Sequence, residues 1–473
     1  MAAAQLWLAL PAEMKLSVVD LLDFQDVKVL ATVNREAYSL CVSTMFKHVK
    51  IPDYESLRTY LSTVPISHNQ YIQHLSICTK PSAHHAADAP SANRRTVTDA
   101  VLELVSHCPQ VEDLTLSLHG SLSKSIIPCF TKLGSLTKLS INHCGDESLN
   151  PLSERLVVAI AASIPKLTQL SLDRITRSAI HAPELIGVYP FIPLVAGDED
   201  IPPHALLDSE LRLPSLLRLP TLKKLRIRDT HLGDPQWTCT PVACSLEVLD
   251  LGSCYHESID FNRICTERIM GNVGHTVDEF ALNTALSPQT FEYAKHKEPP
   301  LKRLRKVHLT PLFPVENVVD TLTTLSGSPI EQLSVQCHED DVLDMCSALE
   351  DFLRLRAERG EQALYQHLTE ITVKTVSDLA DGLFGPFSKE QSSSTGELLV
   401  EHAEAVRHLQ AFLRDLRRPR DEGDASEGQF PASSQVSGSD IEKSPAIAVA
   451  GEIDHDTGRL MAERLITPVS KAD

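Results

Sequence analysis

The chain has 473 residues and a formal net charge of −19 at pH 7, and 42% of its residues are hydrophobic. This length predicts two or three domains, and the acidic balance excludes general binding of nucleic acid over the whole surface. No stretch reaches the roughly 20 uninterrupted apolar residues of a transmembrane helix, so we expect a soluble protein that does not enter a membrane. The 11 cysteines are sparse and include no C-x-x-C pair, which predicts reduced thiols and an intracellular protein, cytoplasmic or nuclear.

Residues 5–51 predict an N-terminal segment of three short helices. Leu10 and Pro11 open the first helix, Asp26 can cap the second, and the third runs from Arg35 to Phe46. About 40 residues are near the lower limit for an independent hydrophobic core. The apolar faces of these helices therefore need another surface to cover them.

This segment resembles the F-box, above all that of fungal F-box proteins that carry leucine-rich repeats. The resemblance is carried by Leu10-Pro11, Glu13-Met14, Leu21-Leu22, Asp26-Val27, Leu30, Val33, Arg35, Tyr38, Leu40 and Phe46-Lys47-His48-Val49. It implies that Leu10, Pro11, Met14, Leu22, Leu30 and Val33 bind the Skp-type adaptor of a cullin-RING ubiquitin ligase. The chain departs from the family pattern at Asn34, where many F-boxes have Cys or Ser, and at Ala37, where they have Trp or Phe. The alternative interpretation is a helical cap on the domain that follows.

A short motif, apolar-x-x-apolar-x-apolar, occurs ten times after this segment. Successive copies lie 24 to 55 residues apart, mostly at or a little above the roughly 20 to 29 residues of leucine-rich repeats. Segments with helical spacing lie between them, so each repeat is predicted as a strand plus a helix. Stacked repeats give an α/β solenoid over residues 52–376, with parallel strands inside and helices outside. The copies are Ile72-Leu75-Ile77, Val111-Leu114-Leu116, Leu136-Leu139-Ile141, Leu167-Leu170-Leu172, Leu222-Leu225-Ile227, Leu246-Leu249-Leu251, Val277-Phe280-Leu282, Leu304-Val307-Leu309, Ile330-Leu333-Val335 and Leu368-Ile371-Val373.

Residues 173–221 interrupt the repeats with seven prolines and the acidic run Asp198-Glu199-Asp200. Prolines at this density exclude a regular helix. The insertion is either a loop that projects from one edge of the solenoid or a degenerate repeat. Its aromatic residues Tyr189 and Phe191 either bind a partner or anchor the loop to the solenoid, and we favour the anchoring role.

Residues 377–418 are predicted as a linker followed by a helix that caps the solenoid. The helix is predicted from Glu397 to Leu416, because apolar residues recur there on one face. The basic polar face of a membrane-surface helix is missing from its first half. Residues 419–473 are rich in Ser, Gly, Asp and Glu and poor in aromatic residues, so we expect a disordered tail.

Enzymatic signatures are absent from the sequence. There is no G-x-x-x-x-G-K-S/T, G-x-G-x-x-G, H-E-x-x-H or G-x-S-x-G motif, so we expect neither catalysis nor a bound cofactor. The best candidates for metal ligands are Cys239, Cys244, Cys254 and His256, followed by the pair His84-His85. Their spacing fits no tight-turn zinc site, and we interpret the cysteines as core residues.

The strand motif also identifies the residues that face the hollow side of the solenoid, because successive side chains of a strand point to opposite faces. These residues are Ser76, Thr115, Ser140, Ser171, Arg226, Asp250, Ala281, His308, Ser334 and Thr372. Their neighbours at period two place Lys224, Arg226 and Arg228 together, and Lys306 beside His308. Such a basic spot suits an acidic or phosphorylated peptide, since arginine donates several hydrogen bonds to carboxylate or phosphate. The alternative is a solvated charged strand without a ligand.

The sequence supports two interpretations of function. In the first, which follows from the F-box resemblance, the chain is the substrate receptor of an SCF-type ubiquitin ligase and binds an unknown protein target on its repeats. In the second, it is a leucine-rich-repeat scaffold or inhibitor with no ligase role, and its N-terminal helices only cap the repeats. An enzyme on an unrecognised fold is a third and weaker alternative. Exposed apolar side chains on the N-terminal helices favour the first interpretation, and buried ones favour the second.

Overall fold

The computed structural model describes residues 10–82, 94–188, 191–287, 301–325, 327–359, 365–376 and 395–417. They belong to two compact units, which follow each other in the sequence at Val277 and Asp278. The predicted tail 419–473, residues 5–9 and 377–394, the pair His84-His85 and Tyr189 lie outside the described residues. Within the described ranges, every helix falls short of the length or the apolar character that a membrane span requires.

The N-terminal segment forms the three predicted helices, α1 (Ala12–Leu21), α2 (Phe24–Ala31) and α3 (Arg35–Met45). Asp23, rather than the predicted Asp26, caps α2, because its carboxylate accepts the backbone N–H groups of Gln25 and Asp26, both at 2.9 Å. Asn34 caps α3 by accepting the N–H of Ala37 at 2.8 Å. Asn34 thus serves a local structural role.

These helices enclose a small core of their own. Val19, Val27, Ala31 and Cys41 are buried, and the half-buried Leu22, Leu30 and Met45 pack against them. At the end of α3, the rings of Phe46 and His68 lie 4.8 Å apart. The helices are therefore joined to the strands that follow through a contact separate from their core.

Seven strands of the first unit pair in chain order, each parallel to the next. Each strand after the first arises from one of the predicted motifs, and the first is an additional strand that the sequence pattern does not predict. The seven are β1 (His48–Ile51), β2 (His74–Cys78), β3 (Asp113–Leu118), β4 (Lys138–His143), β5 (Gln169–Asp173), β6 (Lys224–Arg228) and β7 (Val248–Leu251).

The outer layer of the first unit consists of helices that connect these strands. They are α4 (Tyr54–Thr63), α5 (Arg94–Ser106), α6 (Ile127–Phe130), α7 (Glu154–Ser163) and α8 (Ile259–Val273), with 3₁₀ turns at Ile66–Tyr71, Lys124–Ile126 and Pro235–Thr238. The core lies between the two layers, where strand residues such as Leu114, Leu116 and Leu118 are fully buried. Burial alternates along each strand, so the side chains between the buried ones lie on the opposite face of the sheet.

The second unit repeats this plan with four parallel strands, again in chain order. They are β8 (Glu279–Leu282), β9 (Lys306–Leu309), β10 (Gln332–His338) and β11 (Glu370–Val376), with the helices α9 (Val318–Thr324) and α10 (Val342–Arg359) and 3₁₀ turns at Val315–Asn317 and Glu339–Asp341. The predicted terminal helix is present as α11 (Thr395–Arg417). It packs on α10, where His408 Nδ1 lies 2.7 Å from Glu350 Oε1 and Leu409 is buried. The predicted α/β class, helices followed by strand-and-helix repeats, is confirmed.

The insertion that follows β5 contains no α-helix or named strand in its described residues, as its prolines predict. It has two 3₁₀ turns, Pro183–Leu185 and Leu213–Arg218. The second turn lies against α7 and takes the place of an outer-layer helix, so this half of the insertion is a degenerate repeat. Phe191 is 64% exposed, which contradicts the predicted anchoring role for this side chain.

Buried polar groups hold the insertion to α7. We call these residues the insertion clamp: Ser153, Glu154, Arg155, Ser178, His181 and Asp198. The Asp198 carboxylate accepts hydrogen bonds from the hydroxyls of Ser153 and Ser178, each at 2.7 Å. His181 Nδ1 lies 2.9 Å from Glu154 Oε1, and Arg155 Nη1 lies 3.1 Å from His181 Nε2. Since buried polar groups are costly unless paired, the clamp fixes one path for this proline-rich segment.

Asp198→Ala should lower the free energy of unfolding of the full chain by about 3 kcal/mol, because two buried hydroxyl donors lose their acceptor at roughly 1 to 3 kcal/mol each. Urea unfolding followed by circular dichroism measures this change, and hydrogen exchange should show increased exchange within residues 174–221. Glu199→Ala, at an exposed neighbouring position, is the matched control and should change stability by less than about 0.5 kcal/mol. Equal unfolding curves for the two variants would contradict the clamp.

Candidate functional site

The side chains that alternate with the buried ones on β1–β7 form one continuous polar surface, which we call the inner face. Strand register aligns its middle row, Lys50, Ser76, Thr115, Ser140, Ser171, Arg226 and Asp250. Six of these are residues that the sequence predicts to face the hollow side, and Lys50 is added by β1. In the second unit the predicted Ala281, His308, Ser334 and Thr372 are aligned in the same way.

Two flanking rows complete the inner face of the first unit. On the amino side lie His48, His74, Asp113, Lys138, Gln169 and Lys224, and on the carboxyl side lie Cys78, Ser117, Asn142, Asp173 and Arg228. Across the three rows, five Lys and Arg residues stand against three Asp residues. The inner face is therefore positively charged, although the whole chain carries a net charge of −19.

Two of the predicted basic residues of β6, Arg226 and Arg228, lie close to the carboxylate of Asp250. The sequence did not predict this pairing. Arg228 Nη2 donates to Asp250 Oδ2 at 2.9 Å, and Arg226 Nε lies 3.4 Å from the same oxygen. Lys224 is exposed on the same strand, in register with Gln169 and Val248. Asp250 thus neutralises part of the positive charge at this end of the inner face.

The other predicted basic residues, Lys306 and His308, lie together on β9 in the second unit. Lys306 is exposed and pairs in register with Glu279 of β8. Glu279 Oε1 lies 3.1 Å from His308 Nε2, so a carboxylate accompanies the basic residues here too. The structure therefore places the five predicted residues in two separate groups, each with an acidic neighbour.

A network at the carboxyl ends of β4, β5 and β7 was not predicted. Glu147, which is only 7% exposed, accepts hydrogen bonds from Arg174 Nε at 3.0 Å and from the Tyr255 hydroxyl at 2.9 Å. His256 Nε2 lies 3.0 Å from Oε2, the oxygen that also accepts the Tyr255 hydroxyl, whereas Arg174 binds Oε1. Arg174 adopts a left-handed backbone conformation with φ at +56°. Glu147 thus connects its own loop after β4 with the loops that follow β5 and β7.

The cysteines considered for a metal site do not take part in the hydrogen bonds of Glu147. Cys244 and Cys254 are buried in the core and Cys239 is exposed. His256 bonds to Glu147 instead. Among the described residues, no group of three or more His, Cys, Asp or Glu side chains is arranged to hold a metal ion.

Asp173 is an inner-face residue whose surroundings destabilise its ionised form. Burial, and then the nearby carboxylate of Asp229, raise the pKa of Asp173 to about 6, against the lowering influence of Arg226, Arg174 and Arg228. Its Oδ1 is buried and has no hydrogen-bond partner among the described residues. An ionised carboxylate is therefore held here at a cost in stability.

The six predicted adaptor-binding residues fall into two groups. Met14 is 54% exposed, Val33 is 65% exposed, and Pro11 is exposed as well. Leu10 is half-buried, and Leu22 and Leu30 are half-buried against the core of the three helices. Further exposed apolar side chains on these helices are Leu16, Val18, Leu21, Val29 and Tyr38.

Asp173→Asn should stabilise the chain at pH 7.5 by about 1 to 2 kcal/mol, because it removes a charge that is destabilised by burial. The folded state takes up a proton as the pH falls through about 6, whereas the unfolded aspartate remains ionised down to about pH 3.8. The advantage of the variant should therefore decrease from pH 7.5 to pH 5. Urea unfolding at several pH values measures this difference, with the exposed Glu112→Gln as control. A constant difference across this range would disprove the assignment.

Comparison of the chain with protein-family models gives no match. A search for similar curated proteins also gives no relative. The first unit combines N-terminal helices that carry exposed apolar side chains with a polar, positively charged strand surface.

Proposed function

We propose that the chain is the substrate receptor of an SCF-type ubiquitin ligase. Its N-terminal helices bind a Skp-type adaptor, the inner face binds a protein target, and the chain itself performs no catalysis. The observation that carries the proposal is the exposure of Met14 on α1 and of Val33 in the turn between α2 and α3, although the core of these helices, around Val19 and Val27, is already closed. These apolar side chains contribute nothing to that core, and exposed apolar surface of this kind is typical of a protein-binding site.

The energetics of the helices support a partner. Leu21 is 87% exposed and Val29 is 67% exposed, in addition to Met14 and Val33. Burying one such side chain in an interface contributes about 1.5 to 3 kcal/mol. Four of them would contribute about 6 to 12 kcal/mol, which is comparable with the roughly 4 to 15 kcal/mol that association costs.

The inner face supports the second half of the proposal. It is rich in hydroxyl and basic groups and lacks large apolar side chains, which suits a polar, acidic target rather than an apolar groove ligand. Neighbouring strands lie about 4.8 Å apart, so the middle row from Lys50 to Arg226 spans roughly 24 Å. That is the length of about seven extended residues of a bound peptide.

Both surfaces belong to the first unit, which gives the proposed receptor its mechanism. A target held on the inner face stays at a fixed distance from an adaptor held on the helices. The effective concentration of the target near the ubiquitin-charged enzyme of the ligase therefore rises without any chemistry by this chain.

The alternative is a repeat scaffold or inhibitor whose N-terminal helices serve as a cap. The contact between Phe46 and His68 favours this alternative, because it joins α3 to the segment before β2. Capping does not account for Met14 or Val33, which remain exposed. The two functions differ in whether an adaptor is bound.

The double variant Met14→Glu/Val33→Glu should reduce recovery of the Skp-type adaptor and cullin at least tenfold, because it places two charges in an apolar interface. The measurement is affinity capture of the full chain from a cell extract, with quantitative mass spectrometry. Leu149→Glu, at an apolar position of the first unit that is 75% exposed, is the matched control and should leave recovery unchanged. Failure of the parent chain to capture either subunit would favour the scaffold.

The triple variant Lys224→Ser/Arg226→Ser/Arg228→Ser should lose captured target proteins while retaining the adaptor, because it removes the cationic hydrogen-bond donors of β6. A variant with the same change of charge away from the inner face, Lys132→Ser/Lys166→Ser/Arg268→Ser, is the control. Thermal unfolding of both variants checks that Asp250, left without its arginines, has not unfolded the strand. Unchanged capture of every target would show that this part of the inner face is not used.

A further inference from the structure

A shallow pocket of about 220 Å³ opens on the inner face above β1, β2 and β3. The polar side chains that line it are those of His48, Lys50, His74, Ser76, Asp113 and Thr115. It lies at the opposite end of the first unit's strand order from the arginines of β6. None of its residues belongs to the basic spot that the sequence predicts.

Two histidines form one wall of this pocket. His48 and His74 are register partners on β1 and β2, and their rings are stacked with centroids 4.4 Å apart at an interplanar angle of 8°. The pKa of His48 is lowered by burial, and further by the charges of its neighbours His74 and Lys47. Protonation of His48 is therefore opposed by its surroundings unless an anion lies against the ring.

The charges around the rings leave the pocket positive. Asp113 Oδ2 lies 3.9 Å from His74 Nδ1, but it also accepts a hydrogen bond from Lys138 Nζ at 2.8 Å. Lys50 is exposed beside Ser76, and no described carboxylate lies within 4.0 Å of its ammonium group or of the His48 ring. This differs from β6, where Asp250 accompanies both arginines.

We propose that this pocket is a proton-linked oxyanion site, which binds a phosphoryl or carboxylate group of the target protein. The inference rests on the proposed function in one respect only, that the ligand group belongs to a protein target. The imidazole N–H groups of His48 and His74 and the ammonium group of Lys50 donate to the anion, and the hydroxyls of Ser76 and Thr115 line the floor. Binding takes up a proton on the stacked rings, so affinity increases as the pH falls.

The sign of this linkage follows from the groups that face the rings. At pH 7.5 a histidine of ordinary pKa, about 6.5, is mostly neutral. For His48, burial and the neighbouring His74 and Lys47 lower the pKa and oppose protonation further. A bound anion next to the ring favours its protonated form instead. Uptake of one proton strengthens binding by at most about tenfold per pH unit, and Asp113 does not cancel the effect because Lys138 pairs with it.

The test uses the full chain with histidine labelled at the ring carbon, observed by NMR, and sulfate as the probe. Sulfate is tetrahedral like a phosphoryl group and keeps its charge between pH 8 and pH 6, so any pH dependence reports the protein. Potassium acetate probes the carboxylate alternative, and potassium chloride at equal ionic strength is the reference. The signals of His48 and His74 are assigned with His48→Gln and His74→Gln.

We expect saturable shifts of the His48 and His74 signals with sulfate, and an affinity about tenfold higher at pH 6.0 than at pH 7.5. Stronger binding of sulfate than of acetate identifies a phosphoryl site, and equal binding identifies a site for either anion. His48→Gln should abolish most of the pH dependence, whereas His275→Gln, at an exposed histidine of the same unit, should leave it unchanged.

Absence of saturable shifts with both anions, or equal shifts at the exposed His275, would overturn the proposal. So would an affinity that does not change with pH. Capture of the adaptor by the full chain is measured separately and does not involve this pocket. Loss of anion binding with retained adaptor capture therefore removes the pocket and leaves the proposed receptor intact.

Discussion

Successive side chains of each parallel strand point to opposite faces of the sheet, and the rest of the structure depends on this alternation. In β2, β3 and β4 it buries Leu75, Leu114 and Leu139, and the same register places Ser76, Thr115 and Ser140 on the other face. A shift of one residue would exchange the two sets and expose the core. The polar inner face is thus specified by the same pairing that forms the hydrophobic core. Its side chains point away from that core and are available for binding.

The insertion is held by a different interaction, because its prolines prevent the backbone from forming helices or ladders. Polar side chains from α7 and from the insertion itself satisfy the buried groups, with Asp198 accepting two hydroxyls and His181 lying between Glu154 and Arg155. Replacing such a network by apolar residues often costs little stability, so its value lies in selecting one conformation. The clamp thereby leaves Phe191 exposed at a defined place on the first unit.

The sequence predicts the repeats because each motif is local: three apolar residues at fixed spacing are enough to identify a strand such as β3. It does not predict β1, where only four residues pair and the apolar pattern is too short to separate from the preceding helix. It places Arg228 and Asp250 on the same face of the strands but does not predict their ion pair, since that depends on rotamers. The bond between Glu147 and Tyr255, which are 108 residues apart, leaves no signal in either local pattern.

The inner face is not uniform, and its asymmetry follows from where carboxylates lie. At β5 to β7, Asp173 and Asp250 lie among the arginines, and the ionised form of Asp173 opposes any further negative charge there. At β1 and β2, Lys50 and His48 lack such a carboxylate among the described residues. An extended acidic ligand therefore meets basic groups at both ends of the inner face, Lys50 and His48 at one end and the arginines of β6 at the other, and a basic residue of the ligand fits beside Asp173. Because like charges next to each other are repelled as strongly as opposite charges are attracted, this arrangement selects ligand direction as well as ligand charge.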